Sequence, residues 1–105
     1  MSSSVKLTPE ANDDLQRLYE YLLQRELDRE VPDFSLAERA LDAITDGLVV
    51  LEKFPFSCRK ASDSPFLREL VISFGATGYV ALFDIVDDST VAVIAVRHQR
   101  EDDYH

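Results

Sequence analysis

Residues 66–86 read Phe-Leu-Arg-Glu-Leu-Val-Ile-Ser-Phe-Gly-Ala-Thr-Gly-Tyr-Val-Ala-Leu-Phe-Asp-Ile-Val, and residues 91–96 read Val-Ala-Val-Ile-Ala-Val. Gly75 and Gly78 separate the first two apolar runs, and the acidic turn 87–89 separates the second from the third. Apolar runs bounded by turn residues are typical of consecutive strands. The stretch predicts a three-stranded antiparallel meander whose second and third strands, the longest and the most uniformly apolar, lie centrally.

A helix is predicted to start at Thr8, an N-cap residue followed by Pro9 at the first helical position. Its apolar stripe recurs at helical spacing and comprises Ala11, Leu15, Leu18 and Leu22, widened by Tyr19 and Leu23. Pro32 ends the pattern, since proline cannot continue a helix interior. The alternating residues 5–7 before the helix predict a short first strand, which we expect at a sheet edge.

A second helix is predicted from Ser35, whose hydroxyl could form a capping box with Glu38. Its apolar stripe comprises Ala37, Leu41, Ile44, Leu48 and Leu51. Gly47 lies inside this pattern at a cost of about 1 kcal/mol relative to alanine, which we attribute to close approach of the two helices. Residues 55–65 are rich in proline and serine and predict a loop.

Length and composition indicate one folded domain over residues 1–105, with flexible ends at 1–4 and 105. No apolar run reaches the roughly 18 residues of a membrane span, and the first residues lack the pattern of a signal peptide. Cys58 is the single cysteine, which excludes an internal disulfide and suits a reducing compartment. We therefore expect a cytoplasmic protein without a membrane partner.

The net charge of −9 argues against a broad nucleic-acid surface. The charge is uneven, with −7 over residues 1–52 and −2 over residues 53–105. No phosphate-binding loop, zinc-spaced cysteine and histidine set or nucleophile elbow occurs, so we expect no cofactor and no metal. Most aromatic side chains are expected in or near the core: Tyr19, Tyr21, Phe34, Phe54, Phe56, Phe66, Phe74 and Phe83.

Two amphipathic helices followed by this meander and by the polar tail Arg97-His-Gln-Arg100 resemble the RelE/ParE superfamily of toxins from type II toxin–antitoxin systems. The resemblance covers roughly residues 5–104 and is to the ParE-like branch. It implies an α+β fold of order β-α-α-β-β-β, with the helical hairpin packed on one face of an antiparallel sheet.

In the RNA-cleaving members of this superfamily the central strand reads Gly-Tyr-Arg, and the arginine contacts the scissile phosphate. The matching stretch here is Gly78-Tyr79-Val80, and valine can neither bond nor neutralise a phosphate. The ParE-like branch, by resemblance, lacks those residues and poisons DNA gyrase. The resemblance therefore implies a gyrase inhibitor that is not an enzyme and is neutralised by a cognate antitoxin. Two alternatives stay open: a RelE-like ribosome-dependent endoribonuclease, and a degenerate member that binds only its antitoxin.

Two groups of side chains are candidate binding sites. The candidate target-binding residues are Arg68, Arg97, His98, Arg100 and Tyr104, and the candidate antitoxin-binding residues are Leu22, Leu23 and Leu27. No catalytic residue is assigned. Arg97 and Arg100 are three positions apart, so in an extended chain they point to opposite sides and only one of them can face Arg68 across the sheet.

Overall fold

The computed structural model describes residues 3–99. Its elements in chain order are β1 (Ser4–Leu7), α1 (Pro9–Leu27), α2 (Ser35–Val49), β2 (Arg59–Lys60), β3 (Leu67–Phe74), β4 (Thr77–Asp87) and β5 (Thr90–His98). Two short 3₁₀ turns, Val50–Glu52 and Pro55–Ser57, connect α2 to β2. The α+β order and the helical hairpin predicted from the sequence are confirmed.

The five strands form one sheet in the order β1-β5-β4-β3-β2. Strands β3, β4 and β5 are the predicted antiparallel meander. Strand β1 lies at an edge, as expected, but it runs parallel to β5, so the sheet is mixed and not purely antiparallel. Strand β2 forms the opposite edge within the segment predicted as a loop, because two residues are too few to show alternation in the sequence.

The two helix starts differ in how well the sequence predicts them. Thr8 caps α1 as expected, since its Oγ1 accepts a hydrogen bond from the Ala11 amide at 3.2 Å. The capping box predicted at Ser35 is wrong. The N-cap residue of α2 is Phe34, which makes no side-chain cap hydrogen bond. Asp33, one residue earlier, instead accepts hydrogen bonds at its Oδ1 from the Ser35 amide at 3.0 Å and the Ser35 hydroxyl at 2.6 Å.

Both helices pack on the same face of the sheet. The buried side chains include Ala11, Leu18 and Leu22 from α1, Ala37, Ala40, Ile44 and Leu48 from α2, and Ile72, Tyr79, Ala81, Phe83, Ile85, Val91, Val93 and Val96 from the sheet. Gly47 marks a close approach of α2 to the sheet and not to α1. A Cβ there would lie 2.8 Å from Cγ1 of Ile72.

A bulge in β5 changes which residues of that strand face the helices. Leu82 pairs with Ala95, whereas the next residue of β4, Phe83, pairs with Val93, which leaves Ile94 as the extra residue. Val93 and Val96 consequently both point toward the helices and are buried. A regular strand would bring only every second residue to that face.

Several expectations about exposure change in the structure. Phe83 is fully buried and Tyr19 and Phe74 are half-buried, but the other aromatic side chains expected in or near the core are exposed: Tyr21, Phe34, Phe54, Phe56 and Phe66. Ser3 and Ser4, assigned to a flexible end, donate backbone hydrogen bonds to the carbonyls of Glu52 and Ser89. Residues 1, 2 and 105 lie outside the described part of the chain.

Candidate functional site

An open cleft of about 820 Å³ lies between α1 and one end of the sheet. One wall is the face of α1 that carries Arg17, Tyr21 and Arg25, and the opposite wall is the β3–β4 turn. Its floor is apolar and includes Leu18, Leu22, Leu36 and Val96. The end of β5 contributes Arg97 and His98. This space is called the cleft below.

The cleft is positively charged although the chain as a whole carries −9. Arg17 and Arg25 line it from α1, and Asp14 is the one acidic side chain among its described lining residues. Arg97 borders the cleft at the end of β5, but its side chain lies on the other face of the sheet. Arg17 forms an ion pair with Asp14, and Arg25 lies over the Tyr21 ring at 6.0 Å from its centroid. A concave surface with this charge and an apolar floor suits an acidic, amphipathic polypeptide segment.

His98 is held at the base of the cleft by two neighbours. Its Nε2 lies 3.1 Å from Oγ1 of Thr77, and its ring meets the Tyr79 ring edge to face at 5.6 Å. Burial raises the pKa of Tyr79, so its hydroxyl stays protonated at neutral pH and cannot act as a base. The arrangement orders the end of β5 and leaves the imidazole half-buried.

Arg97 lies directly opposite Val80 on the face of the sheet that points away from the helices. Val80 is 6% exposed and lines a small depression of about 60 Å³ together with Glu69, Leu82, Ala95 and Arg97. A phosphate placed there would meet Arg97 at the edge, but Val80 gives it no donor on the apolar floor, and the nearby Glu69 carboxylate is already paired with Arg59. The depression is therefore poorly suited to bind a scissile phosphate.

Arg68 lies far from the cleft and on the other face of the sheet from Arg97. It pairs with Phe83, whose side chain is in the core, whereas Arg97 pairs with Val80 on the opposite face. Its guanidinium donates hydrogen bonds to the carbonyls of Pro65 at 2.7 Å, Cys58 at 2.6 Å and Phe56 at 3.1 Å. The structure therefore does not bring the candidate residues together: Arg97 and His98 are on opposite faces of β5, and Arg68 is at the other end of the sheet. Arg100 and Tyr104 lie outside the described residues.

The three candidate antitoxin-binding leucines have different environments. Leu22 is buried in the floor of the cleft, and Leu23 is half-buried and packs against the core. Leu27, at the end of α1, is exposed. They do not form one continuous apolar strip, and Leu22 is the member that lines the cleft.

The sequence analysis missed three α1 residues of the cleft, Arg17, Tyr21 and Arg25. They recur every four residues, a spacing that places them on one helical face. That spacing was the available signal. Its meaning depends on which strands cross beneath α1, and the sequence does not provide this information.

Within residues 3–99 no cluster of three or more histidine, cysteine, aspartate or glutamate side chains is placed to hold a metal ion. In the same part of the chain no helix is both long and apolar enough to cross a membrane.

Comparison with known proteins agrees with this architecture. The sequence model of the family described as the ParE toxin of the type II toxin–antitoxin system parDE matches residues 5–103. A protein of Caulobacter vibrioides named Toxin RelE3 is 37% identical over 98 residues, which cover 93% of this chain and 96% of that protein. A chain of the chromosomal ParDE toxin–antitoxin system of P. aeruginosa has the same fold, with a TM-score of 0.70 at 18% identity over 92% of this chain and 96% of that one.

The family match spans nearly the whole chain, and it includes the helical hairpin, the meander and all but the first residue of the parallel first strand. The chain belongs to the ParE toxin family of type II toxin–antitoxin systems.

Proposed function

We propose that this ParE-family toxin inhibits DNA gyrase by protein–protein contact, without enzymatic activity of its own, and acts in the cytoplasm. Membership of a type II family implies a cognate antitoxin as its partner. The observation that carries the proposal is Val80, which stands where the RNA-cleaving members have a phosphate-binding arginine. Its apolar side chain offers no donor to a phosphate in the depression that it shares with Leu82, Ala95 and the Arg59-paired Glu69.

The chemistry of RNA cleavage also lacks support from the neighbouring groups. A ribonuclease needs a base for the 2′-hydroxyl and cations around the phosphate. Tyr79 is kept protonated by burial, and His98 is packed against its ring and near the Thr77 hydroxyl. The net charge of −9 further disfavours approach to ribosomal RNA.

We further propose that the antitoxin occupies the cleft. An amphipathic segment could place apolar side chains on Leu22 and Leu36 and an acidic side chain near Arg25. Charge complementarity of this kind speeds association and favours acidic partners over basic ones.

The test is a supercoiling assay with purified DNA gyrase, relaxed plasmid and ATP. Increasing concentrations of the toxin should reduce supercoiling, and prior mixing with the cognate antitoxin should restore it. Relaxation by a type I topoisomerase is the control and should not change. Full supercoiling activity at a large molar excess of folded toxin would contradict the proposed target.

A RelE-like ribonuclease is the second candidate, because the Caulobacter relative bears the name Toxin RelE3 and because Arg97 and His98 are adjacent. Mapping of messenger RNA ends after incubation with translating ribosomes separates the two functions. Codon-positioned cuts that disappear in Arg97→Ala would favour the ribonuclease. A chain that neither cuts RNA nor slows growth would be a member that binds only its antitoxin.

A further inference from the structure

An exposed aromatic cluster lies at the end of the molecule away from the cleft. The Phe56 and Phe66 rings meet edge to face with centroids 6.3 Å apart, and Cζ of Arg68 lies 5.2 Å from the Phe56 centroid. Lys60 is directly opposite Arg68 in the β2–β3 pair, so its side chain belongs to the same face. These four residues are called the aromatic patch.

The patch is rigid despite its exposure. Arg68 donates to the carbonyls of Phe56, Cys58 and Pro65 and thereby ties the 3₁₀ turn to the start of β3. The carbonyl of Phe66 accepts a hydrogen bond from the Ile85 amide at 2.8 Å. Aromatic side chains fixed in this way lose little conformational entropy on binding, which is typical of the residues that dominate protein–protein interfaces.

The patch contains a like-charge pair in an unfavourable position. Lys60 and Arg68 occupy directly opposed positions of an antiparallel pair, where two like charges repel. The neighbouring cation Arg59 projects to the other face, where it pairs with Glu69 at 2.8 Å. Within residues 3–99 no ion pair neutralises Lys60 or Arg68. A carboxylate from a partner would relieve this repulsion.

The segment that carries the patch also has the opposite charge to the rest of the chain. Residues 53–68 contain four basic residues and one acidic residue, a net charge of +3 in a chain of −9. A polyanion such as DNA or RNA would contact the acidic surroundings as well, and these would repel it. A short acidic protein segment would contact only the patch.

We propose that the aromatic patch is the surface that engages the toxin's protein target, and that it takes a segment in which carboxylates flank a large apolar side chain. The carboxylates pair with Lys60 and Arg68, and the apolar side chain packs against the exposed surface of the Phe56 and Phe66 rings. This inference rests on the proposed function, since it gives the contact with gyrase a location and a chemistry. It separates target binding from the cleft, where the antitoxin is proposed to bind.

The experiment compares two patch variants with two matched controls in the full chain. Phe66→Ala removes a ring that is 50% exposed, and its control Phe34→Ala removes one that is 52% exposed between the two helices. Lys60→Glu reverses a charge in the patch, and its control Lys6→Glu reverses an exposed charge in β1. Lys60→Glu places an acid opposite Arg68, so it should preserve or raise the melting temperature.

Each protein is measured in three assays: binding to purified gyrase, inhibition of supercoiling, and growth of cells in which the toxin is induced, with its abundance checked. Phe66→Ala and Lys60→Glu should weaken gyrase binding by about tenfold or more and relieve growth arrest. The two controls should remain within about twofold of the wild type. Cooperative thermal unfolding establishes that each variant is folded.

The outcomes distinguish a wrong binding surface from a wrong target protein. Wild-type inhibition of gyrase that persists in both patch variants would overturn the inference and leave the proposed function standing. If both patch variants lose growth arrest but the wild type does not inhibit gyrase, the patch is still the target-binding surface and gyrase is not the target. A wild-type chain inactive in every assay would overturn both. Binding of labelled RNA or DNA that Lys60→Glu abolishes would also overturn the inference, because the ligand would be a nucleic acid.

Discussion

The Asp14 carboxylate accepts a hydrogen bond from the backbone amide of Val96, with Oδ2 3.0 Å from the nitrogen. The two residues are far apart in the chain, and the bond joins the first turns of α1 to the end of β5. Parallel pairing of β1 with β5 ends at Leu7 and Val93, and the Thr8 amide donates to the Val93 carbonyl at 3.0 Å. Helix α1 then replaces β1 as the partner of the β5 edge, through Thr8 and Asp14.

Replacing Asp14 should therefore destabilise the domain, because the contact between α1 and the end of β5 is lost. Asp14→Ala leaves the Val96 amide without an acceptor at a partly buried position and should lower the free energy of unfolding by about 1–3 kcal/mol. Asp14→Asn retains an oxygen that can accept the bond and should cost less. Urea unfolding at neutral pH measures both. Equal losses for the two variants would show that the charge, through the Arg17 ion pair, matters more than the hydrogen bond to Val96.

Gly78 should be far less tolerant of alanine than Gly47. A Cβ at Gly78 would lie 2.3 Å from the Ile72 carbonyl oxygen, which is part of the sheet backbone and cannot move without breaking the β3–β4 pairing. At Gly47 the nearest atoms are Cγ1 and Cδ1 of the Ile72 side chain, at 2.8 and 3.0 Å, and a side chain can shift further than paired sheet backbone. We expect Gly78→Ala to cost about 1–3 kcal/mol or more, while Gly47→Ala costs less because alanine also favours the helix. Thermal unfolding compares them directly.

Much of the fold could be predicted because its signals are local. The meander follows from three apolar runs and two turns, and the start of α1 follows from Thr8 and Pro9. The partner of β1 could not be predicted, because a four-residue strand carries no information about which edge it joins. The bulge at Ile94 was equally invisible, since a uniformly apolar strand gives no alternation that a shift in register could interrupt.

The candidate sites were predicted less completely, because they depend on how distant segments meet. The sequence allowed a pairing of Arg68 with Arg97 or Arg100, but the strand register puts Arg68 and Arg97 on opposite faces. Phe56 and Phe66 were expected in or near the core on the basis of their apolar character alone. Their exposure arises because they flank the edge strand β2, beyond the area that the helices cover.

Glu26 should make the stability of the helical hairpin depend on pH. It is fully buried in α1, and its Oε1 accepts a hydrogen bond from the Asp33 amide at 2.9 Å. This bond lowers the pKa of Glu26 and outweighs the opposite effect of burial, and Arg29 lowers it further. A lowered folded-state pKa means that the stabilisation is present above the unfolded-state value of about 4.3 and is lost as the pH falls through the folded-state value.

The matched variant is Glu26→Gln, which keeps the shape and an acceptor but not the charge. The wild type should be more stable than this variant at pH 7, and the difference should shrink as the pH falls below the unfolded-state value of about 4.3 and Glu26 becomes protonated. Urea unfolding at several pH values gives the difference. If the difference in free energy of unfolding between the two proteins stays constant over this pH range, ionisation of Glu26 does not stabilise the fold.

Removal of the Arg68 side chain should destabilise the domain, whereas removal of the Arg97 side chain should have little effect on stability. Arg68 donates three hydrogen bonds to backbone carbonyls and joins two segments, so Arg68→Ala should lower the free energy of unfolding by about 2 kcal/mol. Arg68→Lys should recover only part of this loss, because lysine lacks the planar fork of donors. Arg97 is exposed at the end of β5, and Arg97→Ala should stay within about 0.5 kcal/mol of the wild type. Comparable losses at both positions would contradict this difference.

The cleft should bind the antitoxin through its charge as well as its apolar floor. Arg25 lines the cleft and lies over the Tyr21 ring, so Arg25→Glu would place an acid where we propose that the antitoxin brings one. We expect the affinity for the cognate antitoxin to fall by about tenfold or more, mainly through repulsion and slower association. Calorimetry and association rates at two salt concentrations measure this effect, which added salt should weaken.

Two apolar positions test whether the end of α1 also takes part. Leu27, 60% exposed, is the candidate antitoxin contact outside the cleft, and Val86 in β4, 55% exposed, is its matched control. If the antitoxin extends from the cleft along α1, Leu27→Asp should weaken the complex by several-fold, on the order of 1 kcal/mol, whereas Val86→Asp should not. An antitoxin affinity that changes with neither Arg25→Glu nor Leu27→Asp would mean that the antitoxin binds elsewhere. The positive charge and apolar floor of the cleft would then have to serve a ligand other than the antitoxin.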